Sequence, residues 1–472
     1  MERSPLTALK CVKCSATYSE YPSIYKCPKC GNLLEYVYDF EKLRKTRLRG
    51  KLSFWRYKPL MPKVSKTVSF GEGGTPLHKA GRLAEKLGVK SLFLKDETRN
   101  PTQSYRDRSA ALLVSNALDL NSETLICATQ GNMGASLAAY SAKCGLTCHV
   151  IVPKMVDMGK LAQMLIYDAV IEEYGELIDE AVTRAETLAK ETGWYQATPE
   201  LNPLVIEAQK TIAYEVVEQL GVPDWLIVSM GSGATAYSVW KGFRELREMG
   251  KIEHVPRIVG VQSTGCAPII NAYTGRKSKR KGREKPFTHA LAILVEKPLY
   301  CELALQAIRD SNGTAVAVSD SEIFTAEQEI ARLEGIFAEP SSSATIAALK
   351  KLTNKNAIHD DEKVVCLITG SGLKATDVLQ PLTKKRKTAG LGLELSTKEK
   401  ILRIISRRET YGYAIWKKLG KTMTRGAVYQ HLNELERKGL ITAHEKEGKK
   451  FFRLTQRGER VLSAIDELKI LL

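Results

Sequence analysis

DWLIVSMGSGATAYSVWKGF, residues 224–243, decides the fold, because it joins an apolar run to an amphipathic one through a loop of small residues. Trp225–Ser229 has the composition of a buried strand, and Ala236–Phe243 repeats its apolar residues at helical spacing. Gly231, Ser232, Gly233, Ala234 and Thr235 therefore follow a strand and open a helix, where backbone N–H groups can cradle a phosphate dianion. Working outward, LFLKDE (92–97), TLICAT (124–129), CHVIVP (148–153), RIVGVQ (257–262), TAVAVSD (314–320) and KVVCLITG (363–370) read as further buried strands. Amphipathic segments lie between them, among them SAALLVSNAL (109–118), GASLAAYSAKCG (134–145) and IEAQKTIAYEVVEQLG (206–221). Strand and helix in alternation predict an α/β domain over residues 71–382, its sheet covered on both faces. No internal repeat is evident.

Two different segments flank this core. Residues 1–38 contain Cys11, Cys14, Cys27 and Cys30 as C-x2-C-x12-C-x2-C, a spacing that lets four thiolates close on one tetrahedral zinc ion. So short a segment lacks a core of its own, so zinc is expected to hold it folded, and its loss is expected to leave the central domain intact. Four sulfurs leave no coordination position open for catalysis. Residues 39–70 read as a basic, aromatic linker and 383–395 as a charged, glycine-containing one. Residues 396–472 then form a short helical unit, with Ser396 placed to cap a helix carrying Ile401, Leu402, Ile404 and Ile405.

The net charge of +18 is unevenly placed. Residues 384–472 hold 22 Lys and Arg against 10 Asp and Glu, and Gly275–Lys285 holds 7 against 1, while the remainder is neutral. A basic unit on a neutral body is the footprint of a polyanion-binding module. With 43% apolar and 26% charged residues, no signal-peptide pattern and no long apolar run, a cytoplasmic protein is expected, with no membrane partner. The six other cysteines read as small core residues.

GEGGTPL (71–77), KDETRNPTQSYRDR (95–108), TQGNMGAS (129–136), KLAQM (160–164), NPLVIEAQKT (202–211), MGSGATAYSVWKGF (230–243), VPRIVGVQSTGCAPII (255–270), EGIFAEPSSSAT (334–345) and VVCLITGSGLK (364–374) together resemble threonine synthase, of the fold type II, tryptophan synthase beta-like, pyridoxal-phosphate family. The resemblance covers about 380 residues in order, and the N-terminal zinc ribbon is also found in archaeal members of that family. It implies that Gly231–Thr235 seats the cofactor phosphate, that Asn132 contacts the ring hydroxyl and that Thr369 hydrogen-bonds the pyridine nitrogen. It also exposes a departure. The family reads S-F-K-D-R where this chain has Ser104, Tyr105, Arg106, Asp107 and Arg108, so Arg106 stands at the Schiff-base lysine. A desolvated lysine can become a neutral nucleophile, whereas a guanidinium with a pKa above about 12 cannot. Val205 replaces the arginine of the family's N-P-x-R, Glu296 replaces a glycine, and the 275–285 loop has no counterpart. Catalysis is expected to be lost, with pyridoxal phosphate bound only noncovalently if at all. An amino acid or a phosphorylated amino acid is the other ligand expected.

TYGYAIWKKLG (410–420), RGAVYQHLNELERKGLI (425–441) and KKFFRLTQRGERVL (449–462) resemble PadR-like winged-helix regulators. Val428, Leu432 and Leu435 share one side of a helix that begins near Thr424. Arg425, Tyr429, Gln430 and Asn433 then fall on its open side, as major-groove entry requires. Lys446, Lys449 and Lys450 near Gly448 suit a wing lying along phosphates. The expected protein is a homodimeric transcriptional regulator that binds duplex DNA and senses a small molecule. An enzyme of altered chemistry regulated by its C-terminal unit is the alternative, and RNA or protein contacts are other uses for the winged helix.

Overall fold

The computed structural model describes residues 6–19, 24–276, 285–375, 393–420, 423–446 and 449–462. The chain divides into two compact units, Met1–Asp377 and Val378–Leu472.

In the first unit β1 (Leu6–Cys11), β2 (Thr17–Tyr18) and β3 (Leu34–Tyr38) form a small antiparallel sheet in the order β2-β1-β3. Next come β4 (Leu77–Lys79), β5 (Ser91–Asp96), β6 (Thr124–Ala128), β7 (Thr147–Val152), β8 (Val170–Glu173), β9 (Tyr195–Gln196), β10 (Trp225–Ser229), β11 (Arg257–Ser263), β12 (Thr314–Val318) and β13 (Lys363–Ile368). They build two sheets, β12-β11-β10-β13-β5-β4 and β8-β7-β6-β9, parallel apart from the antiparallel edge strand β4. All seven strands expected from the sequence are present, and the fold is the expected α/β type. The central strands are buried because helices cover both faces, and Ile227, Val228, Val365 and Cys366 have no exposed surface, whereas the edge strand β12 is only partly buried. The 206–221 segment, read as one amphipathic stretch, is two helices, Leu204–Gln209 and Thr211–Leu220. Thr211 Oγ1 bonds the Ala208 carbonyl at 2.6 Å at this junction, competing with the helical ladder.

Residues 39–70 differ from a linker. Phe54–Leu60 is a 3₁₀ helix, and Phe54, Tyr57, Leu60, Met61, Val64 and Val68 are buried in one apolar cluster with Leu112 and Tyr140 of the body. Leu9, Cys11, Leu34, Tyr36 and Tyr38 of the cysteine-bearing segment lie in that same cluster. Tyr38 also donates to Glu207, and Lys241 Nζ donates to the Tyr36 carbonyl at 2.9 Å. The segment thus shares the body's core.

The second unit contains the helix Leu393–Arg407, β14 (Thr410–Tyr411), the helices Gly412–Lys418 and Arg425–Arg437, and the hairpin β15 (Ile441–Lys446) and β16 (Lys449–Leu454). Its strands run antiparallel in the order β14-β16-β15, the layout of a winged helix. Ile401, Leu402, Ile405, Ile415, Val428, Leu432, Leu435, Ile441 and Phe452 form its core. Ser396 lies inside the first helix rather than at its cap, because Leu393, Glu394 and Leu395 are good helix formers and extend it. The basic loop at 277–284, the linker at 383–392 and Gly448 lie outside the described residues, as does the Lys449 side chain. No helix among the described residues is long and apolar enough to cross a membrane.

Candidate functional site

At the end of β10 the chain turns through Gly231–Gly233 into the helix Ala234–Glu248. Gly233 has φ +93°, and a Cβ there would lie 2.9 Å from both Ala304 Cβ and the Tyr300 carbonyl, so glycine is required. The resulting N-terminus faces a narrow, polar cavity with a free volume of about 60 Å³. Arg106, Asn132, Gly231, Ser232, Gly233, Thr235 and Thr369 all line it. Ala234, the remaining residue expected here, is buried at the first helical position.

The walls are tied together by side chains. Tyr105 OH hydrogen-bonds Thr235 Oγ1 at 3.0 Å, and Tyr105 N donates to the Thr369 carbonyl at 3.0 Å. Thr369 Oγ1 meets Ser342 Oγ at 2.8 Å. Asn132 opens the helix Asn132–Cys144 and donates through Nδ2 to both oxygens of Glu339, at 3.1 and 3.0 Å. A carboxylate only accepts, so the amide orientation is fixed and Oδ1 is the atom left over. That oxygen is buried and has no hydrogen-bond partner. Glu339 also meets Lys160 Nζ at 3.2 Å, and Lys160 donates to Asp157 at 2.7 Å. Burial works against the Lys160 charge, but Glu339 and Asp157 raise its pKa above the ordinary lysine value.

Arg106 begins the helix Arg106–Asp119 with the frame of its motif intact, since Ser104 pairs with Gly370 and Arg106 N donates to Ser104 Oγ at 3.3 Å. The guanidinium lies over the Tyr105 ring at 4.8 Å, and its buried Nη1 has no hydrogen-bond partner. Glu200 lines the same cavity; burial pushes its pKa up, and the Arg106 charge opposes that rise. Thus the cavity offers a helix N-terminus, one unpaired donor and one unpaired acceptor. These seats suit the phosphate and ring of a pyridoxal phosphate, while Arg106 does not suit its covalent attachment. Val205 is fully buried in the body's core, and Glu296 follows the lining residue Val295, its N–H donating to Asp179 at 3.3 Å.

Sequence reasoning missed Tyr105, Glu200, Ser342 and Glu339 as parts of this site. Glu339 carried a faint signal, an acid just before the N-terminal proline of the helix Pro340–Thr353. Glu200 sits in a loop with no periodic pattern.

The four cysteines converge, with all ligand atoms within 4.8 Å of one another and Cys11–Cys30 and Cys14–Cys27 sulfur distances of 3.5 and 3.6 Å. A tetrahedral ion with Zn–S near 2.3 Å spaces its sulfurs by about 3.7 Å, so the cluster is compatible with zinc. Backbone N–H groups of Lys13 and Cys14 point at Cys11 Sγ at 3.4 and 3.5 Å, an arrangement that favours thiolate.

In the second unit Thr424 Oγ1 caps the helix Arg425–Arg437 by accepting from Ala427 N at 3.2 Å. Arg425, Tyr429, Gln430 and Asn433 are exposed on it, opposite buried Val428, Leu432 and Leu435. On the wing, Lys450 pairs with Glu436 at 3.0 Å, an exposed contact of little energy.

Comparison with known proteins agrees with both units. Residues 68–370 match the pyridoxal-phosphate dependent enzyme family, and residues 401–464 match the transcriptional regulator PadR-like family. Threonine synthase of Methanocaldococcus jannaschii is 42% identical over 378 residues, covering 78% of this chain and 93% of that protein. Threonine synthase of Methanosarcina acetivorans is 40% identical over 372 residues, covering 78% and 92%. Among solved structures, maize serine racemase aligns with a TM-score of 0.55 at 20% identity over 66% of this chain and 92% of that one. Threonine deaminase isoform 2 from Solanum lycopersicum aligns with a TM-score of 0.54 at 23% identity, over 67% and 84%. These two likenesses concern the fold alone.

Proposed function

We propose, for a chain that belongs to the pyridoxal-phosphate dependent enzyme family and also carries a PadR-like unit, that it is a DNA-binding transcriptional regulator whose enzyme-like domain senses a small molecule and no longer catalyses. Arg106 carries this reading. Bound pyridoxal phosphate supplies an electron sink, but the family's chemistry begins with a lysine that gives up its proton, and a guanidinium does not. Two nearby lysines are poorly placed to substitute. Lys160 is ion-paired and charged, and buried Lys374 donates to the Thr102 carbonyl at 2.7 Å. Burial does lower the Lys374 pKa to about 8, and this observation keeps an altered enzyme as the second reading.

In the regulator the cavity takes a small anionic ligand, with pyridoxal phosphate held noncovalently as one occupant. Zinc fastens the four-cysteine segment, and Arg425, Tyr429, Gln430 and Asn433, with Lys449 and Lys450 of the wing, face duplex DNA. A two-fold homodimer in the cytoplasm matches a pseudo-palindromic operator. The test is borohydride reduction of the native protein in excess pyridoxal phosphate, followed by peptide mapping. We expect no stoichiometric adduct on Lys160, Lys374 or any other lysine. A single stoichiometric pyridoxyl-lysine in the cavity would establish the enzyme reading instead.

A further inference from the structure

Resting on the reading of the second unit as a duplex-binding module, we infer that Tyr413 and Trp416 are positioning residues that aim Arg425 at a guanine in the major groove. Arg425 occupies the first turn of its helix, on the exposed side. Its guanidinium lies 4.7 Å from the Tyr413 ring centre and 4.8 Å from that of Trp416. The two rings stand 5.6 Å apart at 34°, so together they form a shelf on the preceding helix. Trp416 is anchored at its far edge, where Nε1 donates to the Met423 carbonyl at 2.7 Å, one residue before the Thr424 cap. Gly412 opens that preceding helix beneath Tyr429; a Cβ there would stand 2.5 Å from Tyr429 Cζ. The shelf is therefore fixed relative to the helix whose arginine it carries.

Stacking engages the face of a guanidinium and leaves its N–H donors in the plane. Among the described residues no carboxylate or carbonyl pairs with those of Arg425, in contrast with Lys450 and Arg403, which have carboxylate partners. A planar donor pair held in advance matches O6 and N7 of guanine, and less side-chain freedom is lost on contact. Lysine has neither the planar fork nor the stacking face.

Selection of preferred sites from a randomised duplex pool, then binding to selected and scrambled duplexes over a salt series, tests this with the full-length protein. The selected half-site is expected to contain guanine. Tyr413→Leu, a change at a partly exposed ring, should lower the preference for it about two- to fivefold with the salt slope kept, and Tyr413→Phe should retain most of it. Arg425→Lys should cost about tenfold or more at the guanine position. By contrast, Lys449→Ala with Lys450→Ala should weaken binding to both duplexes and make the salt dependence shallower by up to about one unit of slope per lost contact. The inference is overturned if Tyr413→Leu leaves or sharpens the preference, since the rings would then be holding the guanidinium away from the groove. Selected sites without guanine overturn it too while leaving duplex binding in place. A protein that binds no duplex at low salt removes the duplex reading and this inference with it.

Discussion

Arg106 and Arg108 rise from one helix, yet they belong to regions built in opposite ways. Around Arg108 every charge is answered: it bonds Glu97 and Glu215 at 2.6–2.8 Å, Glu215 also receives Lys95 at 2.7 Å, and Thr75 and the exposed Gln219 complete the set. Around Arg106 the groups are aimed but incomplete, with Nη1 and Asn132 Oδ1 buried and unpartnered. Buried polar groups are normally satisfied, so a saturated network marks architecture and an unsaturated wall marks a place where something else binds.

The saturated side reaches as far as the cysteines, because β3 supplies Tyr36 and Tyr38 to the buried Lys241–Glu207 pair. Cys27→Ser with Cys30→Ser should therefore release metal and also loosen the body, by several kcal/mol. Proteolysis confined to residues 1–38, with the thermal unfolding of the body unmoved, would contradict this. Next in size, Arg108→Met leaves two carboxylates buried beside a single lysine and should cost on the order of 3–5 kcal/mol in denaturant unfolding.

Acid should separate the regions as well. Burial opposes the Glu215 charge, but Arg108 and Lys95 override it and hold its pKa down to about 2. That value lies below the unfolded carboxylate's, roughly 4.3, so the contribution is whole above that pH and is lost as pH falls towards 2. Glu327 behaves in the opposite sense: burial, then the Glu339 charge, pushes its pKa up to about 8. Stability should accordingly decline from about pH 5 to 8, and Glu327→Gln should flatten that decline by on the order of 1–3 kcal/mol. Unfolding curves at pH 5, 6.5 and 8 decide it. The smallest effect belongs to the open wall. Arg106→Met removes an unsatisfied donor and should change stability by less than about 1 kcal/mol, while weakening pyridoxal phosphate binding measured by calorimetry. A loss matching that of Arg108→Met would erase the distinction between the two regions.

The strands of the body were legible because apolar runs such as Leu226–Val228 and Val364–Ile368 are closed by small-residue turns. The cavity was legible where its residues belong to local motifs, as at Gly231–Thr235 and at Arg106. Residues 39–70 were not, since Phe54, Tyr57 and Leu60 follow a three-residue spacing over too short a stretch to resemble either a helix or a strand. Glu200 and Glu339 were hidden because their meaning comes from neighbours distant in sequence. The shelf beneath Arg425 was hidden for the same reason, as Tyr413 and Trp416 come from the helix before it.

Tyr105 bears on how far one substitution at position 106 could change this cavity. The pattern this segment resembles has phenylalanine and lysine where Tyr105 and Arg106 stand, and here the tyrosine hydroxyl is bonded to Thr235 at the helix N-terminus that lines the cavity. Arg106→Lys alone would put an amine beside a loop still tethered by that hydroxyl. Tyr105→Phe alone would free the threonine hydroxyl and leave the guanidinium in place. Neither substitution alters both features, so the two neighbouring positions act as a pair.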